Sequence, residues 1–210
     1  MRNLIVSAAL VAMSLFGLSA QAAEPLQAGK QYVELSSPVP VSKPGKIEVV
    51  ELFWYGCPHC YQFEPYINPW AAKLPDDVNF VRLPALFGGV WNVHGQLFLT
   101  LETMGVEHQV HTAVFEALHK EGKKLATPEE MAEFLAAQGV DKDAFLKTYN
   151  SFGVKGQMEK AKKLAMAYQI SGVPTLVVNG KYRFDIGSAG GPEQALSVAD
   201  QLIAKERAAQ

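Results

Sequence analysis

A chain of 210 residues, 49% hydrophobic and 19% charged, has room for one compact unit with an insertion and for a substantial core. Its formal charge of −2 is too close to zero to recruit nucleic acid or an acidic lipid surface, so neither is expected as a partner. No internal repeat or low-complexity tract interrupts it.

Residues 1–22 read as a signal peptide. Arg2 supplies a positive start, Leu4 to Leu18 is apolar apart from small residues, and Ala20-Gln21-Ala22 has the small-x-small form of a cleavage site. The apolar run is short for a bilayer span, and polar sequence follows at once. Export would carry the mature chain, from near Ala23, into an oxidising compartment where disulfides persist.

The mature chain opens with a short strand over Gln31 to Leu35. A loop carrying Pro38, Pro40 and Pro44 follows. Ile47 to Trp54 is a β-branched and aromatic run, read as a buried strand. A helix should begin at Cys57, with Pro58 in the first helical position, and continue to about Leu74. Pro65 and Pro69 fall inside it, so a kink near Pro65 is expected. Val78 to Leu83 is a further strand. From 85 to 153 the periodicity turns helical. Leu97, Leu101 and Met104 share a face, as do Val110, Val114 and Leu118, and Phe145, Tyr149 and Phe152 recur at helix spacing. Thr127-Pro128-Glu129-Glu130 is a capping box.

A helix from about Val154 to Tyr168 follows, its lysines on a solvated face. Thr175 to Val178 and Lys181 to Phe184 flank Asn179-Gly180, a strong hairpin signal. Gly187 to Gly191 reads as a turn, since it lacks the surroundings of a dinucleotide fingerprint. The last helix runs from about Pro192 to Lys205. The chain therefore divides into a signal peptide (1–22), the first part of a strand-rich frame (23–84), an inserted helical domain (85–153) and the completion of the frame (154–210).

The only two cysteines, Cys57 and Cys60, stand two residues apart between a strand and a helix. As a structural disulfide they would close a tiny ring and restrain the unfolded chain very little. As a redox pair they are well placed. The free N–H groups and positive dipole end at a helix mouth favour an anion, and a thiolate is the species that attacks a disulfide. His59 can add positive charge, and Pro58 fixes the turn and exposes the first sulfur. Cys60, one turn into the helix, should be buried as the resolving thiol. Each unit by which the Cys57 pKa falls below the working pH stabilises the reduced form by about 1.4 kcal/mol and raises the reduction potential by about 30 mV.

Two distant features bear on the pair. Glu51 lies in the apolar strand six residues before Cys57. It reads equally as a solvent-facing strand residue or as a buried acid that relays a proton to and from Cys60. Val173-Pro174 precedes a strand, and a cis bond there would present a backbone edge beside Cys57. Phe63, Tyr66 and Trp70 are assigned to the core.

Phe53-Trp-Tyr-Gly-Cys57-Pro-His-Cys60-Tyr-Gln-Phe-Glu64, Gly172-Val173-Pro174-Thr175, the Asn179-Gly180 hairpin and the helical insertion resemble the thioredoxin superfamily and, within it, the DsbA family of periplasmic thiol:disulfide oxidoreductases. The resemblance spans essentially all of the mature chain. It implies an α/β thioredoxin fold, a central mixed sheet flanked by helices, with an inserted helical domain. It implies Cys57 as nucleophile, Cys60 as resolving thiol, His59 as the tuner of acidity and Glu51 as the buried acid. Pro174 would be a cis-proline, with Val173 offering backbone to a bound peptide. Members often place a lysine near the acid; none stands there, and Arg82 on the next strand is the candidate. The implied cofactor is none beyond the Cys57-Cys60 disulfide. The implied partners are reduced or unfolded secreted proteins and a DsbB-like, quinone-linked membrane reoxidase, with a monomer in the periplasm.

Other readings stay in view. A reductase of the same fold would carry the same pair; an isomerase would need a dimerisation segment, and no spare one is present. Structural zinc wants four ligands, usually with a second close pair beside the two cysteines; His108 and His111 could be called one, but they read as surface or packing residues of a helix, so no metal is expected. A peptide-binding holdase would leave the thiols inert.

Overall fold

The computed structural model describes residues 26–210, so the signal peptide assigned to 1–22 lies outside the described residues. In chain order the elements are β1 (Val33–Glu34), β2 (Ile47–Phe53), α1 (Pro58–Ala71), β3 (Val78–Pro84), α2 (Val90–Met104), α3 (Glu107–His119), α4 (Pro128–Ala136), α5 (Lys142–Tyr149), α6 (Phe152–Ala167), β4 (Thr175–Val178), β5 (Tyr182–Asp185), α7 (Ile186–Ala189) and α8 (Pro192–Ala208).

β2 is the spine. It pairs in parallel with β3 and antiparallel with β4, in a sheet ordered β1-β5-β4-β2-β3. Alternate residues of β2 feed two cores. Ile47 and Val49 pack against Phe63 and Ile67 of α1 and Val198 and Leu202 of α8. Val50 and Leu52 pack against Ala161, Ala165 and Tyr168 of α6. Covered on both faces, the strand is buried at all seven positions. This is the expected mixed sheet flanked by helices, the thioredoxin architecture. Helices α2 to α5 build a third core around Leu97, Val114, Phe115 and Phe145, which continues into Phe53, Tyr55, Cys57 and Cys60.

Several details depart from expectation. β1 is shorter than Gln31 to Leu35, and the second hairpin strand starts at Tyr182. Residues 187–191 are more than a turn: α7 is one helical turn, closed by a reciprocal Asp185–Ser188 capping box. α1 ends at Ala71 rather than near Leu74, with Pro65 and Pro69 inside it. α8 extends past Lys205 to Ala208. At α4 the Thr127 side chain caps the Glu130 amide, but the Glu130 carboxylate reaches back to the amide of Ala126 rather than that of Thr127. Phe152 does not share the α5 face with Phe145 and Tyr149; a new helix starts there, and it is 92% exposed. Phe63 is core, whereas Tyr66 is 38% exposed and Trp70 is half-buried with its indole N–H on Asp200.

Glu48 is buried on β2, which the irregular alternation did not foretell. It accepts hydrogen bonds from the Ser42 amide at 2.9 Å and Asn79 Nδ2 at 3.1 Å, and from the Ser42 hydroxyl. Buried Glu206 likewise accepts from Lys181 at 2.6 Å, Tyr182 at 2.8 Å and Asn179, tying α8 to the hairpin. Both hairpin residues have positive φ, Asn179 at 51° and Gly180 at 62°.

The Gly180 carbonyl accepts the Val39 amide at 2.9 Å, and a Cβ on Gly180 would overlap the Val39 carbonyl. Gly180→Ala is therefore expected to destabilise the protein by about 2 kcal/mol. Urea unfolding of the two proteins checks this; a midpoint equal to wild type would mean that the clamp contributes nothing.

Candidate active site

β2 ends at Phe53, and Trp54 to Gly56 turn the chain so that Cys57 becomes the N-cap of α1. Its backbone is extended (φ −85°, ψ 117°), and its Sγ accepts the amide hydrogen of Cys60 at 3.3 Å. A sulfur thus takes the place of the usual capping oxygen. Pro58 stands at the first helical position, where the missing N–H costs nothing. Gly56 is required because a Cβ there would overlap the Trp54 ring. Both thiols are free.

The two sulfurs have different surroundings. Cys57 is 7% exposed, more enclosed than a sulfur at a helix mouth was expected to be, and Cys60 is 0% exposed. The hydrogen bond between the two side chains, opposed by burial and helped by the Cys60 and His59 backbone and the His59 ring, brings the Cys57 pKa from the usual thiol range to about 6. Burial, with the neighbouring Cys57, pushes Cys60 far the other way. The arrangement yields one thiolate and one sealed thiol.

Val173-Pro174 is cis, and the Val173 carbonyl accepts the Cys57 thiol at 3.6 Å. Beside it opens a cleft of about 510 Å³, lined by His59, Gln62, Phe63, Val173, Pro174 and Ile186 among others. His59 is exposed at its rim. Apolar side chains and the Ser171–Thr175 segment line the cleft together.

Glu51 is fully buried, which removes the solvent-facing alternative. Its Oε2 accepts Nε of Arg82 at 3.1 Å, so the arginine opposite it in register takes the position considered for a lysine. Its Oε1 has no hydrogen-bond partner. Burial outweighs Arg82 and raises the Glu51 pKa to about 7. A carboxyl that titrates near neutrality with one oxygen free can accept and return a proton.

The sequence reading gave no role in the site to its remaining members. Glu64 is buried on α1, holding Asn68 at 2.7 Å. His111, taken for a surface or packing residue, lies beneath the motif between Glu64 and Glu107 and within 3.0 Å of the Tyr55 hydroxyl. His119 donates to the Tyr55 carbonyl at 2.8 Å and stacks on Tyr61. Trp91 stacks on Trp54 with centroids 4.1 Å apart. The signal for Glu64 was present: Cys60, Glu64 and Ile67 share one helical face. Among the described residues no group of three or more His, Cys, Asp or Glu side chains is arranged to hold a metal ion.

Comparison with known proteins agrees with this geometry. The family profile of the DSBA-like thioredoxin domain matches residues 91–196. The thiol:disulfide interchange protein DsbA of Pseudomonas aeruginosa is 78% identical over 209 residues, covering 100% of this chain and 99% of its own. That of Azotobacter vinelandii is 72% identical over the whole of both chains. A crystal structure of Pseudomonas aeruginosa DsbA superposes with a TM-score of 0.86 at 81% identity, over 88% of this chain and 96% of that one. The DsbA oxidoreductase of Xylella fastidiosa gives 0.82 at 38% identity, over 87% and 98%. A thiolate-forming Cys57 over a sealed Cys60, on this fold and with these relatives, makes the chain a member of the DsbA family of thiol:disulfide oxidoreductases.

Proposed function

We propose that the protein donates its Cys57-Cys60 disulfide to reduced, newly exported proteins in the periplasm, through a mixed disulfide at Cys57. The observation that carries this reading is the asymmetry of the pair. A substrate thiolate attacks the Cys57 sulfur, the one held against Val173 of the cleft wall, and Cys60 departs as a thiolate. Glu51, protonated, supplies the proton that Cys60 takes up. The second substrate thiolate then attacks the substrate sulfur of the mixed disulfide, and Cys57 leaves readily because its thiolate is stable. Pro58 and His59 shape and polarise the helix mouth. Val173 and Pro174 hold the peptide edge.

The same reading has residues 85–153 as an insertion that builds the floor of the site, and residues 1–22 as the export signal. The protein works as a monomer and needs no cofactor beyond its own disulfide. A DsbB-like, quinone-linked membrane protein restores that disulfide. Among the described residues no helix is long and apolar enough to cross a membrane.

The thiolate absorbance of reduced protein should titrate with a midpoint near pH 6 and assign to Cys57, and His59→Ala should raise it. A midpoint near 9, as in a free thiol, would reject the oxidase reading. Mixing with glutathione should leave the protein reduced at redox ratios that leave thioredoxin oxidised; a potential as low as thioredoxin's would make it a reductase.

Glu51→Gln tests the proton role twice. The folded acid keeps its proton between about pH 4.5 and 7 while the unfolded acid has lost it, so stability falls as pH rises through that window. The glutamine variant should be more stable than wild type by about 1–3 kcal/mol at pH 8, with no gain at pH 4. It should also slow attack by Cys60 on a Cys57 mixed disulfide. An unchanged rate at pH 7 would remove Glu51 from the mechanism.

A further inference from the structure

The insertion brings a second ionisable group under the motif. His111 is 4% exposed and ringed by Phe53, Phe98 and Phe115. Each of its ring nitrogens meets a carboxylate. Nδ1 lies 2.6 Å from Glu107 Oε1, one turn back on α3, and Nε2 lies 3.3 Å from Glu64 Oε2 on α1. The Tyr55 hydroxyl also reaches Nδ1, at 3.0 Å. Neither carboxylate contact is aligned as a hydrogen bond, so the pairing is one of charge. A neutral imidazole offers no charge to either carboxylate; the imidazolium is paired with both.

Glu64 lies 4.0 Å from Arg82, which is bonded to Glu51. The charges form one string across four elements: Glu51, Arg82, Glu64, His111 and Glu107. With Glu51 protonated, Glu64 and Glu107 balance Arg82 and a charged His111. When Glu51 ionises, one negative charge is in surplus. Were His111 neutral, the surplus would be two, in a place where burial already penalises charge.

The string has an outlet. Glu107 and Arg82, with Glu102 from α2, line a second cavity of about 730 Å³ at the free edge of β3, against α2 and α6. It shares no lining residue with the cleft beside Cys57.

We propose that His111 is a positioning residue of the redox site: its imidazolium, exchanging protons through the second cavity, holds the string in the charge state that lets Glu51 take and return the Cys60 proton. A peptide in the Cys57 cleft covers one face of the site and leaves this outlet open. Burial opposes charge on His111, and the contacts with Glu107 and Glu64 outweigh it, so its pKa is raised. The titratable groups facing it are Tyr55, Glu64 and Glu107, with Arg82 and Glu51 beyond Glu64 and Glu102 beyond Glu107. The proposal rests on the proton role given to Glu51.

The step to follow is glutathione release from a mixed disulfide on Cys57. Cys60 gives its proton to Glu51 and its sulfur attacks Cys57. The Cys57–Cys60 bond forms, and glutathione leaves as a thiolate that takes a proton from water. The rate should rise with pH around a midpoint near 7, as Glu51 ionises. His111→Gln should move that midpoint up by about one pH unit. Coupling is reciprocal, so in oxidised protein the His111 ring protons, followed by NMR, should titrate at lower pH in Glu51→Gln than in wild type. A merely structural histidine would affect stability or rate and move neither titration. An unmoved midpoint in folded His111→Gln overturns the proposal. Should that variant not fold, equal His111 titrations in wild type and Glu51→Gln overturn it instead. A midpoint that persists in Glu51→Gln rejects the role of Glu51 itself; one that is lost there but unmoved in His111→Gln rejects His111 alone.

Discussion

A sulfur atom caps α1, and the site is arranged around that bond. The Cys60 amide would be an unpaired donor in the first turn without the Cys57 sulfur, and the sulfur is a better acceptor as an anion. The cap therefore links helix geometry to thiol acidity. It constrains what comes before it, since β2 must stop at Phe53 and Gly56 must leave room for Trp54. It constrains what lies opposite, since the Val173 carbonyl faces the same sulfur. Carbonyl and amide pull in opposite senses: the first suits a thiol, the second a thiolate.

Two glutamates on one strand show how environment separates structural acids from reactive ones. Glu48 and Glu51 are both buried on β2 and face opposite sides of the sheet. Glu48 is met by donors from Ser42 and Asn79. Glu51 has Arg82 on one oxygen and nothing on the other. The first holds the Ser42 loop and Asn79 to β2. The second keeps one buried oxygen free, which is the condition for moving a proton.

Local chemistry made much of this readable. Cys57, Pro58 and Cys60 announce a helix start by type and spacing alone, Asn179-Gly180 announces its hairpin, and β2 announces burial by its run of apolar residues. The resemblance pointed to a cis bond at Pro174 and to burial of Glu51, and both are present. What stayed hidden depends on packing between elements far apart in the chain. His111 sits among Val110, Val114 and Phe115, where it looks like a histidine on a core face; only the docking of α3 under α1 reveals its two carboxylates. Phe152 misled because a helix pattern continued across a break at Asn150 and Ser151 that capping, and not periodicity, decides.

The central pairing of the sheet joins Val49 to Val178 across everything from α1 to α6. A chain emerging from its N-terminus has Cys57 in hand long before Pro174, and β2 must wait for its antiparallel neighbour. The redox pair and the backbone edge that faces it therefore cannot meet until the chain is available through β4. The topology makes the site a long-range product: no N-terminal piece of the molecule that stops short of β4 can carry it.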